Sequence, residues 1–404
     1  MNTHAASTPK RAFLWAAGLS TALAVLNHGY LLREHYQLHF GESSGQGLCN
    51  VSETFNCAAV SASSYAQFLG VPMALWGLLV NLALLGLIAW TPFVDDVKRA
   101  AHRRNLLTLS GAVALASIVM GAISSFVIQR YCPMCILAYV LSFVTFITLW
   151  LGVPKPAPGK SAALTAPRTS AKDFVPLLVV LAVVFVAANI ANDQLAKSYG
   201  ATNIDRLVKD AVADWQAAPK HDIKTFEPLV KGAAPEAAKM SITEFADFRC
   251  IHCRHAAPVL KAFVQSHPDV RIEFQAWPLD GECNTSMKQA NGASCLLARA
   301  VYCANKQNKG WAAHDWVFEN MEKWGSVDQI KGGIPELATA IGASSADLET
   351  CASAPETKDA IEKQAAVGTS LSLTGTPSIF VNGKKLPAGQ SLPVLNEVYR
   401  QLAK

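Results

Sequence analysis

Three pairs of cysteines carry the chemistry that this sequence predicts. The pairs are Cys49 with Cys57, Cys132 with Cys135, and Cys250 with Cys253. A pair of thiols holds two electrons and releases them when it becomes a disulfide, and the exchange runs through thiolate attack and a mixed disulfide. Three such pairs in one chain predict a relay of electrons between thiols.

Long apolar stretches accompany the first two pairs. The chain has 404 residues, of which 51% are hydrophobic and 16% are charged. Five stretches lack Lys, Arg, Asp and Glu, and each approaches the ~20 residues that a bilayer core requires: residues 12–32, 72–90, 106–128, 136–153 and 174–190. Their number and length favour membrane helices over buried core helices. The first stretch is too long for a signal peptide and no small-residue cleavage site follows it, so we expect a retained helix.

Basic residues in the intervening loops predict the orientation. If the N-terminus is cytoplasmic, the cytoplasmic segments hold ten Lys and Arg residues up to Lys172, whereas the opposite loops hold only Arg33 and Arg130. This positive-inside bias places the three cysteine pairs and the C-terminal tail outside the cytoplasm. Ten cysteines suit an oxidising compartment. The net charge of +5 follows from the cytoplasmic loops, and no basic stripe with interleaved aromatic residues indicates nucleic-acid binding.

Composition divides the chain into four segments. We expect a membrane domain over residues 1–153, a flexible cytoplasmic linker (154–172) and fifth helix up to residue 193, a tether over 194–239, and a soluble domain over 240–404. The first outer loop is predicted over residues 33–71, with a mobile Gly- and Ser-containing part and a short surface helix after Cys57.

The soluble tail places its cysteine pair between a strand and a helix. Residues 241–248 alternate like a strand, residues 254–263 read as a helix, and residues 287–365 are mostly helical by pattern. A CxxC at such a junction outside the cytosol is typical of a thioredoxin-like redox motif. The helix N-terminus stabilises a thiolate at Cys250, the expected nucleophile, and His252 adds to this effect. Cys253 would resolve the mixed disulfide. A zinc half-site is the alternative, but the remaining cysteines offer no second pair at matching spacing.

The tail also resembles a known family. Residues 373–383, around Thr376-Pro377, resemble the cis-proline loop of thioredoxin-fold proteins, which lies against the CxxC. Together with Phe248-x-Cys-x-x-Cys and Trp277-Pro278-Leu279, they make residues 240–404 similar to a DsbA-type thiol oxidase domain. Ile251 stands where the best-known oxidases carry proline, so the redox potential stays open.

Four further cysteines most simply form two structural disulfides. From the residues alone three connectivities are open. The resemblance implies the pairs Cys283–Cys295 and Cys303–Cys351.

The membrane pair Cys132-Pro-Met-Cys135 precedes the fourth apolar stretch. A purely structural disulfide is the alternative here. However, a disulfide across two residues closes a very small loop, and the stabilisation from loop closure grows with loop length, so a redox role is favoured. Cys135 at the start of a helix would face the outer leaflet, where a quinone ring could reach it.

These residues resemble the vitamin K epoxide reductase family over residues 12–153. The resemblance rests on Cys49-x7-Cys57, Ser63, Gly70-Val71-Pro72, Trp76-Gly77, and a CxxC before the last helix of a four-helix unit. Bacterial members with a fused thioredoxin-like domain match the organisation of the whole chain. The resemblance implies that Cys49 and Cys57 are shuttle cysteines, that Cys132 and Cys135 form the active-site pair, and that Ser63 lies near the quinone head group. Read by itself, Ser63 is an ordinary helix serine.

We therefore expect an α-helical membrane bundle, a four-helix catalytic unit plus a fifth helix, followed by an α/β thioredoxin-like domain with a helical insertion. The expected activity is a quinone-dependent thiol oxidase of the bacterial inner membrane that makes disulfides in exported proteins, with ubiquinone or menaquinone as acceptor and no metal. Alternatives are reduction of quinone or vitamin K epoxide as the main task, or a membrane-tethered isomerase or chaperone. A transmembrane exporter of reductant is disfavoured because the cytoplasmic loops contain no cysteine. The oligomeric state stays open.

Overall fold

The computed structural model describes residues 11–40, 49–50, 52, 54–153 and 175–403. The chain divides into two compact units. The first comprises residues 1–36 and 51–200, and the second comprises residues 37–50 and 201–404. The cytoplasmic linker predicted over residues 154–172 lies outside the described residues, as does most of the glycine-containing part of the first outer loop.

The first unit is built from helices and one two-stranded ribbon. Its elements in chain order are α1 (Arg11–Phe40), α2 (Cys57–Ala62), β1 (Gln67–Phe68), β2 (Val71–Pro72), α3 (Met73–Trp90), α4 (Asp96–Ile123), a π-helix (Ser124–Ile128), α5 (Pro133–Gly152) and α6 (Val175–Ser198). Strands β1 and β2 pair in antiparallel fashion around Gly70, whose positive φ of 77° permits the tight reversal.

Among the described residues, four helical segments are long and apolar enough to cross a membrane: Met73–Phe93, Lys98–Ile128, Pro133–Gly152 and Val175–Ser198. They correspond to four of the five predicted spans. The remaining span falls on α1, which is a continuous helix of 30 residues but carries polar residues such as Asn27 and His28 that lower its mean hydropathy. Its membrane crossing stays a prediction.

The helices meet around one apolar cluster and are joined by polar contacts. The cluster draws buried side chains from α1, α3, α4, α5 and α6: Ala17, Leu84, Ile88, Leu106, Leu109, Leu149, Val153 and Leu177. The hydroxyls of Ser20 on α1 and Thr145 on α5 lie 2.7 Å apart, which joins the two helices. Because lipid offers no hydrogen bonds, such polar side chains turn toward the bundle interior.

Helix α1 is longer than predicted. It runs on to Phe40 and therefore occupies the first eight residues of the predicted outer loop. The prediction of a surface helix after Cys57 is wrong in two respects. Helix α2 ends at Ala62, where the backbone N–H of Ser63 donates to the Val60 carbonyl, and most of its residues are buried, while Phe68 belongs to strand β1. The π-helix before Cys132 was not predicted, because its residues differ little from an ordinary apolar helix in composition.

The second unit is an α/β domain. Its elements in chain order are α7 (Ile204–Ala217), β3 (Leu229–Gly232), β4 (Met240–Ala246), α8 (Ile251–Ser266), β5 (Val270–Ala276), α9 (Ala293–Lys306), α10 (Gly310–Glu319), α11 (Val327–Ile341), α12 (Ser345–Ser353), α13 (Pro355–Ser370), β6 (Ser378–Val381), β7 (Lys384–Lys385) and α14 (Leu392–Leu402). Helices α9 to α13 form the insertion between β5 and β6.

The five strands form one sheet in the order β3-β5-β4-β6-β7. Strands β4 and β5 are parallel, and the other pairings are antiparallel. The central strand β4 is buried over almost its whole length because both faces of the sheet are covered. One face packs on the helical insertion through the cluster that contains Phe248 and Cys253, and the other carries Phe245 and Trp277.

Structured residues extend N-terminal to the predicted start of the soluble domain. Strand β3 pairs with β5, although residues 229–232 fall in the segment that the sequence predicts as a tether. In the same segment, the indole Nε1 of Trp215 on α7 donates to the carbonyl of Val381 on β6 at 3.2 Å. The sequence indicates polar helical segments interrupted by proline residues over residues 191–237, which agrees with α7, whereas β3 was not predicted.

Gly152 allows α5 to approach α1 closely. A Cβ atom on Gly152 would lie 2.6 Å from Cβ of Phe13, an atom fixed to the α1 backbone. We expect Gly152→Ala to lower the free energy of unfolding by about 1–3 kcal/mol, because the two helices must separate. Thermal unfolding of the detergent-solubilised full-length protein measures the change. Gly86→Ala on α3 is the matched control: its Cβ meets nothing within 4 Å, and it should be neutral or stabilising. Equal stability of the two variants would contradict the assigned contact.

Candidate functional site

Cys250 lies at the junction between β4 and α8. It is the N-cap residue of α8, and its backbone N–H donates to the carbonyl of Asp247 at 3.1 Å. Its side chain is partly exposed, whereas Cys253 one turn later is fully buried, and both are free thiols. The Thr376-Pro377 peptide bond is cis, and the Cys250 thiol donates to the Thr376 carbonyl at 3.4 Å. The structure thus brings together Cys250, Cys253, Thr376 and Pro377.

The two thiols differ strongly in acidity. A hydrogen bond from the Cys253 thiol is the largest effect that lowers the pKa of Cys250, which falls to about 5, and the side chain of Thr376 and the backbone N–H groups of Cys253 and His252 also lower it. Burial raises the pKa of Cys253 well above its usual value. Cys250 is therefore a thiolate at neutral pH, while Cys253 keeps its proton. The backbone N–H of His252 contributes to this effect, and a contribution of its imidazole stays a prediction.

Asp247 fixes the backbone on both sides of the dithiol. Its carboxylate accepts from the backbone N–H of Arg249 and from that of Leu279, both at 2.6 Å. The first bond shapes the turn that leads to Cys250, and the second holds the Trp277-Pro278-Leu279 turn against it. Exposed apolar side chains, Ile251 and Leu279, flank this site.

Glu244 is a second buried carboxyl group on β4. Its side chain is 1% exposed and its Oε1 atom has no hydrogen-bond partner. Burial raises the pKa of Glu244 to about 8. Glu244 was not predicted as a site residue, although it occupies a position of the alternating strand that shares its phase with Met240 and Ile242 and is therefore expected to be apolar.

The four other tail cysteines are paired in the second unit. Cys283 bonds to Cys295, and Cys303 bonds to Cys351 across 48 residues. These are the pairs named in the sequence analysis. Their structural role stays a prediction.

Cys132 and Cys135 form a disulfide in the first turn of α5. Cys132 is the N-cap, Pro133 occupies the first helical position, and the backbone N–H of Cys135 donates to Sγ of Cys132 at 3.0 Å. The amide Nδ2 of Asn27 on α1 donates to the carbonyl of Met134 at 2.9 Å, so α1 holds the turn between the two cysteines. Cys132 is buried and Cys135 is partly buried.

Backbone pairing aligns the segment before Cys57 with the segment before Cys132. The N–H of Asn56 donates to the carbonyl of Tyr131, and the N–H of Tyr131 donates to the carbonyl of Thr54, both at 2.8 Å. The bridge between Phe55 and Tyr131 is parallel, so the two chains continue in the same direction into their cysteines. Cys57 then starts α2, which the Asn56 side chain caps through the N–H of Ala59.

One cavity of about 330 Å³ in the first unit is lined by Cys57, Cys132 and Cys135 together. Most of its wall is apolar and comes from α1, α3, α4 and α5. Polar residues are a minority of the lining, as in sites that bind a largely apolar molecule; they include His28, Asn81, Ser117, Tyr139 and Ser142.

Cys49 and Ser63, the remaining site residues predicted for the first unit and its outer loop, have different surroundings. Cys49 is buried and disulfide-bonded, as is Cys57. Ser61 lies on the cavity wall, whereas the hydroxyl of Ser63 donates to the carbonyl of Val60 at 2.7 Å at the end of α2. The sequence could not show which of these two serines lies on the cavity wall. The answer depends on the residue at which α2 ends, and the sequence does not define that residue.

Comparison with known families matches both units. Residues 15–150 match the vitamin K epoxide reductase family, and residues 241–400 match the DSBA-like thioredoxin domain. The chain thus combines a vitamin K epoxide reductase family segment with a DsbA-like thioredoxin domain. These two matches identify it as a thiol-disulfide oxidoreductase.

The individual proteins that resemble this chain have low sequence identity to it. A segment of 153 residues, 37% of this chain, is 22% identical to the Na(+)/H(+) antiporter NhaA 3 of Salinispora tropica and spans only 21% of that protein's length. A thioredoxin-like oxidoreductase from Silicibacter pomeroyi is 25% identical, with 44% of this chain and 92% of that chain covered and a TM-score of 0.36. Oxidised BdbD from Bacillus subtilis is 19% identical, with 46% and 98% covered and a TM-score of 0.37.

The acidity of Cys250 predicts a pH profile for its reactivity. In the fully reduced full-length protein, alkylation of Cys250 by iodoacetamide should rise with a midpoint near pH 5, because only the thiolate reacts. Cys253→Ala removes the main hydrogen bond and should move the midpoint upward by about one pH unit or more. Mass spectrometry of the Cys250 peptide measures the rate. A wild-type midpoint near pH 9, or no shift in the variant, would contradict the assignment.

The burial of Glu244 predicts a pH dependence of stability. Its folded pKa of about 8 lies above its ordinary value of 4.5, so its stabilising effect is complete below pH 4.5 and is lost as the pH rises to about 8. Glu244→Gln should flatten the decline in unfolding temperature between pH 5 and pH 8. Scanning fluorimetry of the full-length protein measures it, with Glu356→Gln, an exposed position, as the control. A decline that is as steep in Glu244→Gln as in the control would refute this origin.

Proposed function

We propose that this protein oxidises thiols of exported proteins and passes the electrons to a membrane quinone. The observation that carries the proposal is the shared cavity: Cys57 and the Cys132–Cys135 disulfide line one apolar space, and backbone hydrogen bonds align the segments that lead to them. Sulfur atoms exchange only by direct contact, so this arrangement suits transfer from Cys57 to the membrane pair.

The first step takes place at the soluble dithiol. A thiolate of the exported protein attacks the Cys250–Cys253 disulfide, and a second thiolate of the same protein resolves the mixed disulfide. The exported protein leaves with a new disulfide, and Cys250 and Cys253 carry its two electrons. The low pKa of Cys250 stabilises this reduced form, which makes the oxidised pair a stronger oxidant.

The electrons then pass to the loop cysteines. The Cys250 thiolate attacks Cys49 of a Cys49–Cys57 disulfide and Cys57 leaves as a thiolate; Cys253 attacks Cys250 and releases Cys49. The electrons now reside on Cys49 and Cys57, and the soluble pair is oxidised again. The loop that carries Cys49 must serve two partners, which agrees with the glycine and serine residues of its sequence.

Transfer into the membrane pair follows the same rule. Cys57 attacks Cys132, Cys135 leaves as a thiolate, and Cys49 then attacks Cys57 to restore the loop disulfide and release Cys132. Both electrons have now reached Cys132 and Cys135. The backbone N–H of Cys135 already donates to Sγ of Cys132, and this contact stabilises charge on Cys132.

The cavity fits a quinone head group. A quinone, when bound, accepts two electrons and two protons and leaves as the quinol. Asn81 and Tyr139 are the polar lining residues that would hold its ring oxygens, and Asn81 keeps one amide hydrogen beyond the one it donates to the Gly77 carbonyl. The apolar remainder of the wall excludes water from the partly buried Cys135.

The proposed orientation has the N-terminus in the cytoplasm and all three cysteine pairs on the outer side of the bacterial inner membrane. The charge bias of ten Lys and Arg against two supports it. Exported thiol proteins and the quinone pool are then reached from the same membrane face.

Cys135→Ala tests the order of the relay. Without Cys135, the Cys132 thiolate should attack the loop disulfide at Cys57, and Cys49 leaves as a thiolate. Cys49 can only reverse this step, and no thiol remains that could free Cys57 by attacking Cys132, so part of the protein should stay in the Cys57–Cys132 disulfide. We expect quinone reduction by a dithiol peptide to fall about 100-fold or more, and a Cys57–Cys132 peptide to appear in mass spectra of the non-reduced protein. Ile136→Ala, in the same turn of α5, is the matched control and should keep its activity.

Two results would contradict the relay. One is quinone reduction that survives the removal of both Cys132 and Cys135. The other is a trapped disulfide between Cys250 and Cys132, which would bypass the loop cysteines. An active thiol exchange without any quinone reduction would instead favour an isomerase.

A further inference from the structure

Helix α6 presents one continuous stripe of side chains to the rest of the first unit. Leu177, Val184 and Ala188 are buried, Leu181 lines the cavity, and Asn192 makes hydrogen bonds within the unit. These positions follow one another at intervals of three or four residues and therefore share one helix face. Residues on other faces, such as Val183 at 62% exposure, are open.

Both ends of the stripe are fixed to the bundle. At one end, Leu177 belongs to the apolar cluster that also contains Ala17 and Leu84. At the other end, Oδ1 of Asn192 accepts from the Tyr36 hydroxyl at 2.7 Å, and its Nδ2 donates to the Gly70 carbonyl at 3.2 Å. A helix that served only as a tether would not need a buried stripe over this length.

The cavity lies between these two anchors. Leu181 contributes to its wall together with Trp76 and Val80 of α3. The Trp76 ring also packs on Phe185, the next position of α6 on this side, with 5.9 Å between ring centroids. Leu181 is 42% exposed, so it stands at an opening of the cavity rather than at its closed end. This part of the wall has only hydrocarbon and indole groups to offer.

We propose that α6 forms a lateral wall of the quinone cavity and that Leu181 contacts the hydrocarbon tail of the quinone where it leaves toward the lipid. The proposal rests on the proposed function and extends it. Helix α6 lies beyond residues 15–150, the segment that matches the vitamin K epoxide reductase family. The fifth helix thus adds a determinant of quinone choice to the four-helix unit.

The test compares two tryptophan variants of the full-length protein in lipid nanodiscs. Leu181→Trp fills the opening, and Val183→Trp places the same side chain on the exposed face. The probes are menadione, which has no tail, and a ubiquinone analogue with a ten-carbon tail, both reduced with a dithiol peptide. For Leu181→Trp we expect KM for the tailed quinone to rise about tenfold, while KM for menadione stays within about twofold. Val183→Trp should match the wild type with both probes.

A second readout does not depend on turnover. Long-tailed quinone that co-purifies with the protein should fall about fivefold in Leu181→Trp and stay unchanged in Val183→Trp. If Leu181→Trp fails to fold, Leu181→Ala opens the wall instead. The ratio of KM for the tailed quinone to KM for menadione should then change by about threefold relative to the wild type.

The outcomes separate this inference from the proposed function. A wild-type protein that reduces quinone, with Leu181→Trp equal to Val183→Trp, overturns the role of α6 alone. An equal loss with both probes overturns the tail contact. A wild-type protein that neither retains nor reduces quinone overturns the proposed function and this inference with it.

Discussion

The pairing of residues 54–56 with Tyr131 is the interaction on which the membrane half of this protein depends. Two backbone hydrogen bonds of 2.8 Å run side by side between these segments, and each segment leads directly into a cysteine of a different redox pair. Side chains could drift by several ångströms, but a backbone bridge fixes the approach of two chains to hydrogen-bond length. Disulfide exchange has no mechanism over longer distances, so the proposed relay requires such a constraint. The remaining architecture supports it: α1 holds the Met134 carbonyl, and α2 is capped beside the bridge.

The two CxxC pairs use the same local geometry for different chemical purposes. In both, the first cysteine is the N-cap of a helix, where unpaired N–H groups favour negative charge. At Cys250 the first cysteine is partly exposed, next to apolar side chains that suit a peptide, and its low pKa keeps it charged. At Cys132 the first cysteine is buried, and the second cysteine faces the cavity. The same turn therefore leaves a thiol partly exposed at the surface of one unit and places a cysteine pair on a cavity wall in the other.

Sequence reasoning predicted the features that arise from local patterns. The strand–CxxC–helix order, the membrane helices α3 to α6 and the two-family organisation all leave signals within short windows. Features that arise from tertiary contacts were missed. Strand β3 is short and belongs to the sheet only because β5 accepts it, and Glu244 is special only because both faces of β4 are covered. The position of Ser61 rather than Ser63 on the cavity wall depends on a helix end, and helix ends are weakly encoded.

Helix α1 shows how function and hydropathy compete in the same residues. Its length and continuity resemble those of a membrane helix, yet it falls outside the four segments that length and composition select among the described residues. The residues responsible, among them Ser20, Asn27 and His28, are the ones that contact α5, hold the redox turn and line the cavity. A helix that only spanned lipid would gain from replacing them with leucine. If α1 crosses the membrane as the sequence predicts, hydrogen bonds inside the bundle offset the cost of these polar residues there, and polar residues at such depth mark a candidate site. Among the described residues, the predicted span with the weakest hydropathy signal is thus one that holds the redox turn and contributes to the cavity wall.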